Sequence, residues 1–409
     1  MRAYERFLKY VTIHTTSDEQ SGLHPSFDGE FDLANLLKDE LIEIGASEVY
    51  VDDKCYVYAF IPPTKGYENK TALGLIAHMD TSPDASGLNV RPILRENYDG
   101  GDVDYPAANM TMKVENFPEL KGFVGETLIT SDGTTLLGSD DKAGVAQIMS
   151  AIEKIIKEDI PHGPISIAFT PDEEIGEGSD FFDLSRFNAK YAYTVDGGDI
   201  DTIEYENFNA ASAQVLVKGF SVHPGDAKDK MINASLVAME FNALLPSTER
   251  PEHTAGYEGF FHLTDMSGTC EKATLSYLIR DFDKVSFEKR KEIMINGANA
   301  VNDRYGDGTV SIEIKDSYYN MYEQITPHMH LIENAKKAIL DLGITPRIIP
   351  IRGGTDGARL SYMGLPCPNL GTGGYNFHGP FEFNSVERMD KMVDILVGIV
   401  KIYSEINKD

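Results

Sequence analysis

Residues 72–77 read ALGLIA, a short apolar run that is followed directly by polar residues. Two similar runs, ISIAF at 165–169 and YAYTV at 191–195, also end at polar residues. Runs of this length with β-branched and aromatic side chains are typical of strands buried on both faces of a sheet. Residues 31–44 and 143–156 instead carry apolar side chains at helical spacing, which predicts helices packed on that sheet. The first half of the chain therefore predicts an α/β fold, a mostly parallel sheet with covering helices.

The middle of the chain has a different pattern, which starts near Asn209. Alternating half-exposed strands and helix-like segments follow in the order strand, helix, strand, strand, helix, strand: 211–218, 231–245, 258–265, 272–282, 286–302 and 309–315. This is the split βαβ order of a ferredoxin-like domain. The α/β pattern then returns with a helix at 327–342, a strand at 347–351 and a helix at 390–406. We therefore expect one α/β domain, residues 1–208 and 318–409, interrupted by a smaller α+β domain inserted at 209–317.

The charge of the chain narrows the classes of partner. Among 409 residues, Lys and Arg number 37 and Asp and Glu number 65, so the formal net charge is −28. A chain this acidic repels phosphate groups, which argues against nucleic acid or an anionic membrane as a partner and favours small molecules.

The cellular location is predicted from the lack of a secretory signal and of a membrane-spanning run in the sequence. The N-terminus has no secretory apolar stretch and no apolar run is long enough to cross a membrane, so we expect a cytoplasmic protein. Cys55, Cys270 and Cys367 are far apart and odd in number, and we interpret them as buried thiols rather than as disulfides or zinc ligands.

Acidic and imidazole side chains follow each of the predicted strands, where open α/β sheets bind their ligands. They are His78 and Asp80, Glu173 and Glu174, and Asp196, with Asp140 and Asp141 just before the helix at 143–156. Each group alone has an ordinary interpretation as a strand end or a solvated pair. Together at one edge they would repel one another unless a cation lay among them. Imidazole and carboxylates without thiolate suit zinc, or cobalt and manganese by availability.

The spacing of these residues indicates separate roles. Successive side chains of an extended segment point to opposite sides, so one of Glu173 and Glu174 can bind metal while the other faces the substrate as a general base. Residues at i and i+2 share a face, so Asp80 can support the ring of His78. Asp140 has two oxygens that can bridge two ions.

Seven segments, spread in order over nearly the whole chain, resemble a known family. They are LIAHMDTSPD (75–84), LLGSDDKAGVA (136–146), FTPDEEIGEG (169–178), TVDGG (194–198), FSVHPGDAKDKMINA (220–234), PIRGGTDG (350–357) and GGYNFHGPFEF (373–383). The chain is similar to the dinuclear zinc exopeptidases of the aminoacylase and carboxypeptidase-G type, and among them to tripeptide aminopeptidases. The resemblance implies a mixed sheet with covering helices and an inserted ferredoxin-like lid domain.

The resemblance also implies roles for single residues. It places His78 and Asp196 on one zinc ion, Glu174 and His378 on the other, and Asp140 between them, with Asp80 supporting His78 and Glu173 as the base. His378 follows from the resemblance alone, because no spacing in the sequence points to it.

Four further residues are candidates outside the metal cluster. His223 is by itself a turn histidine, but the resemblance implies that it donates to the oxyanion of the attacked carbonyl, within its own chain or across a dimer. Arg280 and Arg352 would otherwise be surface ion pairs, yet a guanidinium fork matches the carboxylate of a short peptide. Lys142, beside Asp140, is a further candidate for substrate binding.

The expected function is release of the N-terminal residue from tripeptides by a water activated between two zinc ions. The nearer alternative is a related amidohydrolase, such as a dipeptidase, a carboxypeptidase or an N-acyl amino acid deacylase. The remoter alternative is a non-catalytic protein that binds metal or peptide. By analogy with the family, the lid strands could pair edge to edge in a homodimer.

Overall fold

The computed structural model describes residues 1–407, which form two compact units. The first unit comprises Met1–Tyr205, Glu323–Ile349 and the chain from Thr355 onward. The second comprises Glu206–Tyr322 and the short segment Pro350–Gly354. The domain expected at 209–317 falls inside the range of this second unit.

The first unit begins with ten strands and four helices. In chain order they are α1 (Ala3–Tyr10), α2 (Glu30–Ile44), β1 (Ser47–Val51), β2 (Val57–Ile61), β3 (Leu73–His78), β4 (Ile93–Arg95), β5 (Val103–Tyr105), β6 (Met110–Met112), β7 (Leu128–Thr130), α3 (Ser139–Lys157), β8 (Ile165–Thr170), α4 (Leu184–Phe187), β9 (Tyr191–Gly197) and β10 (Thr202–Glu204).

The remaining elements belong to the second unit and then to the C-terminal part of the first. In chain order they are β11 (Asn209–Lys218), α5 (Ala234–Ala243), β12 (Phe260–Gly268), β13 (Lys272–Asp281), α6 (Lys284–Tyr305), β14 (Val310–Tyr318), α7 (Tyr322–Ile325), α8 (His330–Asp341), β15 (Arg347–Ile348), α9 (Asp356–Tyr362), β16 (Asn369–Gly371), β17 (Phe383–Ser385) and α10 (Val386–Ser404).

The main sheet of the first unit has eight strands in the order β1-β2-β8-β3-β9-β16-β10-β15. Strand β3 lies between β8 and β9 and runs parallel to both, whereas β1 with β2, β2 with β8, and β10 with β16 are antiparallel. The sheet is therefore mixed: the central run β8-β3-β9-β16 is parallel, and the edge strand β15 is parallel to β10. The predicted α/β class is confirmed.

Helix α3 covers the centre of this sheet and packs against β3, β9, α1 and α10. Its side chains Ile148, Ile152 and Ile155 are fully buried, as their helical spacing predicts. Gly144 permits this close approach, because a Cβ atom there would lie 1.8 Å from the carbonyl oxygen of Val195 in β9. The approach fixes the N-terminal end of α3 beside the end of β9.

The second unit contains one antiparallel sheet in the order β12-β13-β11-β14. Helices α5 and α6 pack on this sheet, and Phe241 and Met294 are fully buried against Leu275 and Ile279 of β13. Strand and helix order together match the predicted ferredoxin-like arrangement.

Helix boundaries differ from the sequence predictions where capping side chains act. The Asn233 side chain accepts hydrogen bonds from the N–H groups of Ser235 and Leu236, so α5 begins at Ala234 rather than at residue 231. Ser385 caps α10 in the same way, and that helix begins at Val386 rather than at residue 390. The strand expected at 347–351 is only two residues long.

The structure can be compared with the expectations about the cysteines and about membrane-spanning segments. Cys55 and Cys367 are buried as expected, but Cys270 is partly exposed, because it lies in the turn between β12 and β13. Among the residues that the structure describes, no helix combines the length and apolar character needed to cross a membrane.

Candidate metal centre

Four elements of the first unit bring acidic and imidazole side chains to one edge of the main sheet. His78 is the last residue of β3, Asp196 lies near the end of β9, and Asp140 lies in the first turn of α3. Glu174 lies in a 3-10 turn, Glu173–Ile175, that follows β8. Because β8 and β9 flank β3 in parallel, their carboxyl ends meet at the same edge.

Asp140 lies at the centre of this group, between two imidazoles. Its Oδ1 is 3.0 Å from Nε2 of His78, and its Oδ2 is 3.4 Å from Nε2 of His378. The His78 Nε2 is also 3.3 Å from Oδ1 of Asp196, and the His378 Nε2 is 3.0 Å from Oε2 of Glu174. The structure thus brings together all five residues that were expected to hold metal.

The donor atoms fit divalent cations. His78, Asp141 and Asp196 form one group whose ligand atoms lie within 4.8 Å of one another, and His78, Asp140 and Glu174 form a second. Both groups offer nitrogen and carboxylate oxygen without thiolate, which suits zinc, manganese or cobalt. Oε1 of Glu174 is buried without a hydrogen-bond partner, as expected of an oxygen that is able to ligate a cation.

Electrostatics support the same interpretation. Burial, together with the charge of Asp140, raises the pKa of Glu174 to about 7. Burial also raises the pKa of Asp196 well above its usual range. Carboxyls crowded in this way favour a bound cation, which would stabilise their ionised forms.

Asp80 is fully buried and links His78 to the turn after β8. Its Oδ1 lies 3.1 Å from Nδ1 of His78 and accepts the N–H of Glu173 at 3.0 Å, while Oδ2 accepts the N–H of Glu174 at 3.0 Å. One carboxylate therefore orients an imidazole and fixes the backbone of both glutamates.

The extended conformation that the sequence predicted for Glu173 and Glu174 is wrong. They lie in the 3-10 turn and not in an extended segment, so strand alternation does not separate their side chains. Asp172, just before them, has φ 55°, and this left-handed residue turns the chain out of β8. Burial and the nearby charge of Asp196 raise the pKa of Glu173 well above its usual range.

Three acidic residues near the centre have contacts that the sequence did not predict. Asp141 accepts the backbone N–H of His78 at 3.1 Å, and Asp84 lies 3.2 Å from Nδ1 of His378. Glu382 accepts the N–H groups of Leu137, Gly138 and Asp140 at 2.7, 2.7 and 3.0 Å, so it anchors the loop that carries Asp140. The acidic pair at 140–141 was a signal for Asp141, but nothing local pointed to Glu382.

Lys142 also belongs to the first unit, but its side chain is buried. Its Nζ donates a 2.7 Å hydrogen bond to the carbonyl oxygen of Ile13, and burial lowers its pKa to about 7. In this structure the amine is engaged by the backbone of the loop after α1.

His223, Arg280 and Arg352 lie in the second unit. His223 is exposed, and its Nδ1 accepts the N–H of Gly225 at 3.1 Å. Arg280 donates through Nη1 to the carbonyl oxygens of Ala211 and Ile279.

Arg352 contributes contacts that join residues 350–354 to the second unit. Its guanidinium donates to the carbonyl oxygens of Gly256 and Glu258 at 2.7 and 3.1 Å. It also lies over the ring of Phe208, 5.1 Å from the centroid. Both contacts hold the segment against the second unit.

The chain is similar in sequence to known proteins. Residues 133–402 match the model of peptidase family M20/M25/M40. The chain is 53% identical over 406 residues to a protein named Peptidase T from Caldanaerobacter subterraneus subsp. tengcongensis, with 99% of each chain covered. It is 54% identical over 405 residues to Peptidase T of Clostridium perfringens strain SM101, again with 99% of each covered.

Solved structures share the fold. An aminopeptidase, PepT of Bacillus cereus, superimposes with a TM-score of 0.79 at 23% identity, covering 98% of both chains. A dinuclear metal binding peptidase of Bacillus subtilis superimposes with a TM-score of 0.66 at 14% identity, also covering 98% of both. The expected similarity to this group of peptidases is confirmed, and the chain belongs to peptidase family M20/M25/M40.

Proposed function

We propose that this protein is a tripeptide aminopeptidase that works with two zinc ions. The observation that carries the proposal is the position of Asp140, whose two carboxylate oxygens each face a different imidazole. A carboxylate placed in this way is suited to bridging two cations. Relatives that are 53% and 54% identical over almost their whole length carry the name Peptidase T, which supports a tripeptide as the substrate.

In this proposal, His78 and Asp196 would hold one ion, Glu174 and His378 would hold the other, and Asp140 would contact both. Two bound cations would supply Lewis-acid chemistry, which would polarise the peptide carbonyl and lower the pKa of a water molecule. Asp80 keeps the His78 ring in position through the 3.1 Å contact with Nδ1. Glu173 accepts the proton of the attacking water and returns it to the leaving amine.

The second unit is proposed to act as a lid that supplies substrate contacts. Nδ1 of His223 accepts a backbone hydrogen bond, so its neutral ring carries the proton on Nε2. That tautomer can donate to the oxyanion of the attacked carbonyl. Arg280 and Arg352 are proposed to bind the peptide carboxylate, since backbone carbonyls already hold part of each guanidinium in place. Lys142 is the weakest of these proposed contacts, because its amine is buried on Ile13.

Assembly and location are also proposed. The sheet of the second unit has β12 and β14 at its edges, and either could pair with a second copy to form a homodimer. Short peptides in the cytoplasm would be the substrates, consistent with a role in peptide breakdown.

The experiment compares Glu173→Gln with Glu174→Gln in zinc-loaded protein, with the exposed Glu43→Gln as a control for the chemical change. Glu173→Gln should keep its zinc and lower kcat for a tripeptide about 10²–10⁴-fold. Glu174→Gln should lose zinc, and Glu43→Gln should behave as wild type. Loss of zinc from Glu173→Gln would show that the two roles are exchanged.

A substrate panel separates the proposal from its alternatives. Tripeptides should be cleaved in preference to di- and tetrapeptides and to N-acyl amino acids, and complete chelation of metal should abolish cleavage. Preference for another member of the panel would favour the related amidohydrolases. Full activity in the metal-free protein would refute the mechanism.

A further inference from the structure

We propose that His24, Asp172 and Glu177 form a site for a third divalent cation, separate from the two ions assigned to the cluster around Asp140. All three residues belong to the first unit. His24 lies in the loop between α1 and α2, while Asp172 and Glu177 flank the turn that carries Glu173 and Glu174. The proposal goes beyond the function above and does not depend on it.

The distances in this group suit a metal ion. Nδ1 of His24 lies 3.2 Å from Oδ2 of Asp172 and 3.7 Å from Oε2 of Glu177. The three ligand atoms all lie within 4.8 Å of one another. Nitrogen and oxygen ligands at zinc distances of 2.0–2.2 Å in a tetrahedral arrangement are about 3.4 Å apart. One cation can therefore contact all three donors with little movement.

The imidazole of His24 provides an independent indication of a ligand. Its side chain is only 5% exposed, and neither ring nitrogen has a hydrogen-bond partner. The ring is packed against Phe181 and stacked with Tyr56, with centroid distances of 4.7 and 5.7 Å. Nδ1 forms no hydrogen bond with Asp172 despite the 3.2 Å distance, and Glu177 lies beyond hydrogen-bond distance. A buried polar atom without a partner is unfavourable, and a cation facing Nδ1 would satisfy it.

The surrounding charge also favours a cation. Glu30 is fully buried close to Asp172, and neither of its carboxylate oxygens has a hydrogen-bond partner. Asp80 is also fully buried, and its negative charge acts on Asp172. Like charges in a buried setting repel strongly, so a divalent ion would stabilise the group.

The site has a route for exchange with solvent. The Glu177 side chain is 46% exposed, whereas Asp172 is fully buried, so an ion could enter past Glu177. An imidazole with carboxylates and no thiolate favours zinc, with manganese and cobalt as alternatives of the same donor chemistry.

A cation here would join two loops. Asp172 already accepts the backbone N–H of Ser26 at 2.8 Å, which ties the loop after α1 to the end of β8. An ion shared by His24, Asp172 and Glu177 would strengthen that connection. It would also hold both ends of the turn in which Glu173 and Glu174 lie. The third ion is thus a positioning element for that turn and takes no part in the chemistry.

The test measures zinc stoichiometry by equilibrium dialysis against buffered Zn²⁺, with the metal counted by mass spectrometry. His24→Gln and Glu177→Ala should each bind one equivalent fewer than wild type. Glu177→Ala changes an exposed side chain, so its folding is not at risk. The matched control is Glu19→Ala, an exposed glutamate of the same loop as His24, which should bind as wild type does.

A second measurement follows hydrogen exchange of residues 17–29. Zinc should slow exchange there in wild type and in Glu19→Ala but not in Glu177→Ala. Equal stoichiometry in all four proteins, or equal protection by zinc in Glu177→Ala, would overturn the third site. His378→Ala, which tests the two-ion centre, should lose metal without losing this protection, so the two proposals fail separately.

Discussion

Replacing Glu204 by Gln should make the first unit more stable at alkaline pH. Glu204 ends β10, its side chain is almost fully buried, and its Oε2 accepts a 2.7 Å hydrogen bond from Nδ2 of Asn369 in β16. Burial raises the pKa of this carboxyl from its usual 4.5 to about 7, although the hydrogen bond from Asn369 opposes the change. The neutral form is thus the one that suits the folded protein.

The size of the effect follows from these two pKa values. A carboxyl whose pKa is higher in the folded state than in the unfolded chain contributes stability while it is protonated. That contribution is fully present below pH 4.5 and is lost as the pH rises through about 7. One pH unit between the two values corresponds to about 1.4 kcal/mol, so the loss is about 3 kcal/mol. Glu204→Gln keeps the shape and removes the charge, so it avoids this loss.

The assay is urea unfolding of wild type and Glu204→Gln at equal zinc content, at a series of pH values from about 4.5 to about 8. The chain has no Trp and 20 Tyr, so tyrosine fluorescence and circular dichroism follow the transition. The stability difference between the two proteins should grow by about 3 kcal/mol over this range, in favour of the variant. The control is Glu43→Gln, which makes the same chemical change on the exposed side of α2. A difference that stays constant with pH, or that favours wild type as pH rises, would refute the reasoning.

Three other substitutions test the packing and the support of the metal centre. Gly144→Ala should destabilise the protein by more than about 3 kcal/mol in thermal unfolding, because its Cβ would lie 1.8 Å from the carbonyl oxygen of Val195; a normal melting temperature would contradict this. Asp84→Ala should weaken zinc binding about 10–100-fold in chelator competition, because His378 loses the partner of its Nδ1; Asp84 is 69% exposed, so metal-free stability should not change. Ile152→Ala should lower unfolding free energy by about 2–5 kcal/mol through a cavity under α3, while zinc content per folded chain stays the same.

Local sequence patterns predicted much of the architecture. The apolar runs at β3, β8 and β9 and the helical spacing in α3 identified the centre of the main sheet, because burial on both faces leaves little choice of side chain. The alternating strands of the second unit gave its ferredoxin-like order for the same reason, since each residue's face is decided by a period of two. Once β3 and β9 were identified, the sequence also placed polar residues, His78 and Asp196, at the ends of these two strands.

The margins of the sheet were less predictable. Strands β1 and β2 and helix α1 were not expected, and β15 is shorter than its apolar pattern suggested. Short elements at an edge are stabilised mainly by contacts with distant segments, so their own sequence carries a weak signal. The start of α5 depended on a cap by Asn233, which a hydrophobic pattern alone does not locate.

By itself, the sequence predicted the fold class, the strands that carry His78 and Asp196 at their ends, and the presence of imidazole and carboxylate groups at one edge of the sheet, because these follow from local periodicity and composition. Only the tertiary structure showed that Glu173 and Glu174 lie in a turn fixed by Asp80, and that Glu382 holds the loop of Asp140. It alone placed His24 beside Asp172. These contacts join segments up to 245 residues apart. Such pairs form only when the packed sheet brings their loops to one edge, which no pattern within a single segment encodes.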